Sequence, residues 1–103
     1  MQEGLEFVAI NTIVRCEGVN GYTKIYLTEG NTILSSNSIG YFNKLLDIDG
    51  FYLVHKSHLI NLDYVLKYLN EGSLIMEDQE HVPVARNKRS EFLEFINNRG
   101  NKV

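Results

Sequence analysis

Short apolar runs separated by turn-forming residues dominate the pattern of this chain. Between residues 23 and 28 the alternation is clean, with Ile25 and Leu27 on one face and polar or aromatic side chains on the other, as in a half-buried strand. Glycine, asparagine or aspartate bounds most of the other runs. The pattern therefore predicts roughly seven or eight short strands. They cover residues 5–8, 13–16, 23–28, 32–34, 51–54, 59–69 with a bend near Asp63, 73–76 and 81–85.

One stretch in the middle of the chain has the spacing of a helix. A run of serines and an asparagine at residues 35–38 offers N-caps, and Gly50 can turn the chain back after the helix. Between them, apolar residues recur at helical spacing over roughly three turns. These residues are Ile39, Phe42, Leu45 and Leu46.

The chain ends with a second amphipathic segment. Residues 86–98 are predicted to form a short helix with Phe92, Leu93 and Ile96 directed inward. Pro83 lacks an N–H group, so the strand before this helix is expected at a sheet edge. Together, these predicted strands and helices form a mostly-β domain with one helix in the middle and one at the end.

The most distinctive stretch is the apolar run Phe51-Tyr52-Leu53-Val54, followed by His55-Lys56-Ser57-His58 and then by Leu59-Ile60-Asn61. Polar residues between two strand-like runs usually mark a short turn at a sheet edge. Ring nitrogens, an ammonium and a hydroxyl on a rigid turn suit contact with an anion. A solvated basic loop is an equally good interpretation of this stretch alone.

The length and composition of the chain are typical of one globular domain. It has 103 residues, a net charge of −3 and one cysteine, Cys16. No apolar run approaches membrane-spanning length and nothing resembles a signal peptide, so no membrane partner and a cytoplasmic location are expected. Residues 1–80 hold five basic and eleven acidic residues, whereas residues 81–103 hold five basic and two acidic ones. A local basic patch on an acidic body can still attract an anionic partner.

The residues give little support to an enzyme. His55, His58 and His81 with Asp63 are the candidate metal ligands, but side chains three apart along a strand face roughly opposite directions, so His55 and His58 are not expected to share an ion. Cys16 lies in an apolar strand and is expected in the core. The glycines near residue 20 flank a hairpin-like turn, not a strand-to-helix phosphate loop. We predict no catalytic residues, no metal and no cofactor.

Three polar loops are the better candidates for function. Arginine can read guanine and asparagine can read adenine, while lysine, serine and a helix N-terminus can hold phosphates. Each loop alone is more often a solvated surface feature, and periodicity does not decide whether the three share a face. The loops carry Asn20, Tyr22, Thr23 and Lys24; His55, Lys56, Ser57 and His58; and Arg86, Asn87, Lys88 and Arg89.

The order of motifs resembles the LytTR domain, the DNA-binding module of many bacterial response regulators. The resemblance covers residues 4–96 and rests on two separated motifs that agree in order and spacing, supported by shorter matches. The motifs are the FYLVHKSHLIN stretch at residues 51–61 and PVAR at residues 83–86, with IVRCEG at residues 13–18 and NGYT at residues 20–23. Ala85 departs from the serine more common in the family.

The resemblance implies an elongated fold of small antiparallel sheets with short helices, whose loops enter successive major grooves of bent DNA. It places the domain at residues 4–97 and a flexible tail at residues 98–103. Base-edge contacts are expected from Lys24 or Thr23, Lys56 and Arg86, with Asn20 and Tyr22 in the same first loop. Phosphate contacts are expected from Ser57, Asn87, Lys88 and Arg89. His55 is included among the DNA-binding residues, with its ring expected to support the turn.

The resemblance also implies the partners. They are double-stranded DNA with paired promoter sites about one helical turn apart, a second copy of the chain on that DNA, and an upstream receiver or sensor domain in a two-component phosphorelay. The expected function is sequence-specific, non-enzymatic DNA binding in transcription regulation. The alternative is a small β-rich interaction module that docks an acidic protein, and a metal-dependent hydrolase is a distant third.

Overall fold

The larger of two antiparallel sheets, sheet 1, organises the fold. The computed structural model describes residues 7–48 and 50–99 of the chain. Sheet 1 has the strand order β3-β2-β1-β5-β4. Its strands are β1 (Ile13–Val19), β2 (Tyr22–Leu27), β3 (Thr32–Ser35), β4 (Phe51–His55) and β5 (His58–Asn61).

Sheet 2 follows a short 3-10 helix at Leu62–Tyr64. Its order is β6-β7-β8, with β6 at Val65–Leu69, β7 at Ser73–Met76 and β8 at His81–Pro83. Strand β8 is therefore an edge strand, as Pro83 predicts. The chain measures 47 × 25 × 23 Å along its principal axes, so the elongated, mostly-β fold expected from the resemblance is confirmed.

Two helices complete the domain. Helix α1 spans Ile39–Leu45, and the Ser38 hydroxyl caps it by accepting a hydrogen bond from the Tyr41 N–H. Helix α2 spans Arg89–Arg99 and follows a 3-10 turn at Arg86–Lys88.

The two faces of sheet 1 differ because side chains alternate along each strand. One face, the apolar face, carries Ile25, Cys16 and Leu59 side by side, and these pack with Phe42 and Leu46 of the α1 region in one core. The opposite, polar face carries Lys24, Glu17, His58 and His55 in one row across the strands.

A second core joins sheet 2 and α2 to sheet 1. Register irregularities in β1 and β4 each insert one extra residue, Val14 and Val54, and bulged residues leave the normal alternation of faces. Both valines are buried in the core that also contains Leu74, Val82 and Phe92. The two bulged valines, with Ile60 of β5, therefore pack sheet 1 against sheet 2 and α2.

Four predictions about the elements differ from the structure. Half of the strand expected at residues 5–8 lies outside the described residues, and residues 7–9 have no regular structure before a 3-10 helix at Ile10–Thr12. Leu45 is 57% exposed. Phe42 and the residue that follows α1, Leu46, are four positions apart and so face the core from the same side of this two-turn helix, whereas Leu45 lies outside that side. Leu93 is also exposed, since α2 buries positions 92, 95 and 96. The predicted tail at residues 98–103 begins in α2, which extends to residue 99, and residues 100–103 lie outside the described residues.

Candidate nucleic-acid interface

The first hairpin turn (Asn20 and Gly21) joins β1 to β2. Val19 pairs with Tyr22, so the loop has two residues, and both have positive φ, 52° for Asn20 and 85° for Gly21. Two-residue hairpins of this kind need positive φ at both loop positions, which Asn-Gly supplies. Asn20, Tyr22 and Lys24 are exposed beside this turn.

Thr23 does not share that exposure. Its side chain is on the apolar face, its exposed fraction is 0%, and its hydroxyl donates a hydrogen bond of 2.8 Å to the carbonyl oxygen of Asn37. Strand alternation explains the difference from Lys24, since neighbouring residues point to opposite faces. In this structure Thr23 ties the loop before α1 to the sheet and offers no group to a partner, which corrects its assignment as a base-reading residue.

The second hairpin turn (Lys56 and Ser57) joins β4 to β5. The Ser57 N–H donates a hydrogen bond of 3.1 Å to Nδ1 of His55, so the imidazole supports the turn as the resemblance implies. His55 and His58 are cross-strand partners whose ring centroids are 5.4 Å apart. The expectation that they face opposite directions was wrong, because a two-residue turn places residues three apart opposite each other on one face.

Both hairpin turns lie at the same end of sheet 1. Strand β1 runs toward its turn at residue 20, while antiparallel β5 starts immediately after residue 57, and Glu17 pairs with His58. The Gly18 N–H donates a hydrogen bond of 2.9 Å to the carbonyl of Ser57, which joins the two hairpins directly. Sheet register thus brings together two loops that are more than thirty positions apart in the sequence.

The arginine segment (Arg86–Lys88) reaches the same end through β4. The Ala85 N–H donates a hydrogen bond of 2.7 Å to the carbonyl of Val54, next to His55 and the second hairpin turn. Arg86 and Asn87 are exposed, and Lys88 is half-buried with its Nζ 5.9 Å from the centroid of the Tyr52 ring. The three polar loops therefore lie at or beside the same end of sheet 1, which we call the basic end.

Arg89 differs from the other cations of that end. Its Nε donates a hydrogen bond of 3.2 Å to the Val84 carbonyl, and its guanidinium covers Gly72, where an added Cβ would lie 2.2 Å from Cζ. These contacts hold Arg89 against the turn before β7. Its first role in the structure is to fix the start of α2.

The start of α2 concentrates positive charge where a helix favours negative charge. Arg86, Lys88 and Arg89 precede or begin the helix, with Glu91 as the acidic residue of its first turn. The helix N-terminus carries a partial positive charge, so these cations repel it in the free protein. An anion bound there would relieve that repulsion and receive N–H groups as well.

Glu17 and His58 occupy the middle of the polar row. The Tyr26 hydroxyl donates a hydrogen bond of 3.0 Å to Oε1 of Glu17. Burial lowers the pKa of His58 below its ordinary value, and His55 and Arg15 lower it further while Glu17 raises it. Nδ1 of His58 is the one buried side-chain nitrogen or oxygen among the described residues that has no hydrogen-bond partner, so the neutral ring is favoured.

Sequence reasoning missed the side chains beneath the basic end. Arg15 is 5% exposed, its Nε lies 2.9 Å from Oδ2 of Asp78, and its Cζ lies 3.7 Å from the centroid of the Tyr26 ring. The sequence carries one signal for a buried partner of Arg15, namely the position of this charged residue in the IVRCEG run. A strand next to a core seldom buries an arginine without a partner. Its partner, 63 positions away, could be found only from the packing of the two sheets.

The described residues offer little to catalysis. They contain no cluster of three or more histidine, cysteine, aspartate or glutamate side chains that could hold a metal. Cys16 is buried as expected, and burial raises the pKa of its thiol to about 12, which keeps it protonated and unreactive. An apolar groove of ≈ 530 Å³ lies between α1 and β3, and its described lining is apolar apart from Ser35.

Comparison with known proteins gives the class of protein: a DNA-binding domain. A family model described as the LytTr DNA-binding domain matches residues 3–97. The chain therefore belongs to the LytTr family, and the resemblance carried by its motifs is confirmed. Among the described residues, no helix is long and apolar enough to cross a membrane.

Relatives and a solved structure agree with this assignment. The chain is 32% identical over 94 residues to the heme-containing CO-sensing transcriptional regulator RcoM 2 of Paraburkholderia xenovorans (strain LB400), covering 86% of this chain and 35% of the relative. For RcoM 1 of the same organism it is 33% identical over 92 residues, covering 84% and 34%. The chain thus spans about a third of the length of these relatives.

The structural comparison covers most of both molecules. The fold is similar to the LytTr DNA-binding domain of a putative methyl-accepting/DNA response regulator from Bacillus cereus, with a TM-score of 0.76 and 25% sequence identity. The similarity covers 86% of this chain and 84% of that one. Two sheets arranged as described above are thus shared with a member of the same family.

Proposed function

We propose that this chain is the sequence-specific DNA-binding domain of a transcriptional regulator, and that it contacts DNA with its basic end. The observation that supports this most strongly is the meeting of three loops at one end of sheet 1, each with an exposed cation. These cations are Lys24, Lys56 and Arg86. Exposed cations on rigid turns can reach phosphates and base edges at once.

The loops divide the contacts between bases and phosphates. Arg86 is exposed and has no described contact that competes with guanine, which arginine reads with two hydrogen bonds. Lys24 and Lys56 project from the two hairpins and are assigned to base edges as well. Ser57, Asn87 and Lys88 are assigned to phosphates, and Asn20 and Tyr22 flank the first contact. Thr23 and Arg89 act behind this surface by holding the loops.

The shape of the molecule suits loops in successive grooves. The basic end presents loops, and we infer that these loops, rather than a recognition helix, enter successive major grooves. We infer binding to paired sites about one helical turn apart by two copies of the domain. Bending the DNA would let both hairpins and the arginine segment reach it together, at a cost of a few kcal/mol for the bend.

The relatives support a proposal about the kind of regulator in which this domain acts. The RcoM proteins are transcriptional regulators by name, and the Bacillus cereus domain belongs to a putative response regulator. We propose that this domain likewise serves as an output domain, controlled by a receiver or sensor domain, as in two-component systems. Heme and CO are not carried over, because the match covers about a third of the RcoM chains.

Selection from random duplex DNA, followed by affinity measurements across salt concentrations, tests the proposal. We expect enrichment of a short motif, and a slope of log K against log salt that reflects several released counterions. Weak binding without enrichment, together with tight capture of an acidic peptide by the same end, would favour the protein-interaction module instead.

A further inference from the structure

A carboxylate lies within the basic end, where it opposes DNA binding. Glu17 is half-buried in the polar row, directly opposite Lys24 on one side and His58 on the other. Directly opposed residues have Cβ atoms about 5 Å apart. A negative charge so close to the proposed DNA contacts repels phosphates, so its presence calls for a role.

The side chains beneath Glu17 fix its position. The Tyr26 hydroxyl donates to Oε1 of Glu17 at 3.0 Å, and the Tyr26 ring is in turn covered by the Arg15 guanidinium at 3.7 Å. Arg15 is paired with Asp78, so its charge is already balanced. Among the described residues, Arg15 and Asp78 form the one ion pair within 4.0 Å, and the Glu17 charge is left to act on its cross-strand neighbours.

Lys24 is the cation directly opposite the Glu17 carboxylate on the neighbouring strand. Lys24 lies two residues before Tyr26 on the same face of β2, and its Nζ is 5.9 Å from the centroid of the Tyr26 ring. The ring that holds Glu17 thus also lies under the Lys24 side chain. Both the ring and the carboxylate attract the ammonium toward the sheet.

We propose that Glu17 is a specificity-determining residue, which holds Lys24 over Tyr26 and away from the phosphates. This rests on the proposed DNA-binding function and adds a role that opposes affinity. A lysine free to follow the phosphates strengthens binding to every sequence alike. A lysine held in place contributes chiefly where a matching base edge meets it, so Glu17 lowers affinity for random DNA more than for the preferred site.

The test compares Glu17→Gln with the unchanged chain on two duplexes, one containing the selected site and one of random sequence. Glutamine keeps an oxygen that accepts the Tyr26 hydrogen bond and removes only the charge. We expect affinity for random DNA to rise roughly three- to tenfold and its salt slope to steepen by about 1. The ratio of specific to random affinity should fall.

The matched control is Glu29→Gln, which makes the same change of charge. Glu29 is exposed in the 3-10 turn between β2 and β3, at the end of sheet 1 away from the basic end. If Glu17 acted only through net charge, both variants would strengthen binding equally, and that result would overturn the proposal.

A double variant distinguishes the restraint of Lys24 by Glu17 from other effects of the Glu17 charge on DNA affinity. In a Lys24→Gln background, Glu17→Gln should raise random-DNA affinity clearly less than it does in the unchanged chain, because the lysine to be released is missing and only the direct repulsion of phosphates is relieved. An undiminished gain would overturn the proposed role. Equal losses on both duplexes with a lower melting temperature would show a structural role and overturn it as well. If the unchanged chain binds no selected duplex, the proposed function itself fails, which is a distinct result.

Discussion

At the scale of single residues, Arg86 and Lys88 are expected to contribute differently although they are two positions apart. Arg86 is exposed, whereas Lys88 leans toward the Tyr52 ring. Arg86→Ala should lower affinity for the selected site by about 1–3 kcal/mol and relax the preference at one base pair. Lys88→Ala should weaken all sequences alike and reduce the salt slope by about 1. Equal losses on selected and random DNA for Arg86→Ala would rule out its role in reading a base.

His58 gives a prediction about pH. Because burial lowers its pKa, the folded state disfavours the proton that the unfolded chain binds near the ordinary value of 6.5. Its contribution to stability is therefore complete above about pH 6.5 and is lost as pH falls through the lower folded value. Denaturant unfolding from pH 7.5 to 5 should show a steeper loss of stability for the unchanged chain than for His58→Gln. His81→Gln, at an exposed position, is the control, and identical profiles for His58→Gln and the unchanged chain would contradict this account.

The sequence was sufficient to find exposed residues and insufficient to find buried partners. Lys24, Lys56 and Arg86 stand in polar loops that turn chemistry and motifs reveal. Thr23 belongs to the same NGYT motif, yet strand alternation turns it inward toward Asn37. The partnership of Arg15 with Asp78 depends on how the two sheets pack against each other, which no local pattern encodes.

At the scale of elements, two hydrogen bonds fix the conformation of the second hairpin turn. His55 accepts the Ser57 N–H at 3.1 Å, and the Ser57 carbonyl accepts from Gly18. His55→Phe keeps a ring and removes the acceptor, so it should cost about 1 kcal/mol in stability and lower DNA affinity by loosening Lys56 and Ser57.

Hydrogen exchange gives the readout for that element. In His55→Phe the Ser57 amide should exchange faster than in the unchanged chain, while amides of the first hairpin other than Gly18, which donates to the Ser57 carbonyl, should keep their protection. Unchanged exchange at Ser57 together with unchanged DNA affinity would mean that the imidazole does not support the turn.

Element positions were easier to predict than element faces. The strands at residues 23–28 and 73–76 and the edge position of β8 agree with alternation and with Pro83. Leu45 and Leu93 were assigned to cores but lie outside them, because a two-turn helix and a helix packed through positions 92, 95 and 96 each bury a narrow stripe. Pattern alone does not say how wide that stripe is.

At the scale of the whole molecule, the Arg15–Asp78 ion pair links the two sheets. Arg15 lies in β1 of sheet 1, and Asp78 lies in the turn between β7 and β8 of sheet 2. Asp78→Asn leaves the buried guanidinium without its counter-charge and should destabilise the domain by about 2 kcal/mol, less than a fully buried pair since Asp78 is partly exposed. Chemical denaturation measures this change.

A double variant provides the control for that pair. Arg15→Gln combined with Asp78→Asn removes both charges, so it should cost less than the sum of the two single variants. Strict additivity would show that the pair does not couple the sheets. The second core, which contains both bulged valines, would then be the main attachment between them.

We propose that three loops distant in sequence form one DNA-binding surface. The most direct measurement is a nuclear magnetic resonance titration of the chain with the selected duplex, following backbone amides. We predict that the largest shifts occur together at residues 20–24, 56–57 and 86–88, while residues 28–31 at the opposite end of sheet 1 stay unchanged. Shifts confined to one loop, or centred on the groove between α1 and β3, would contradict it.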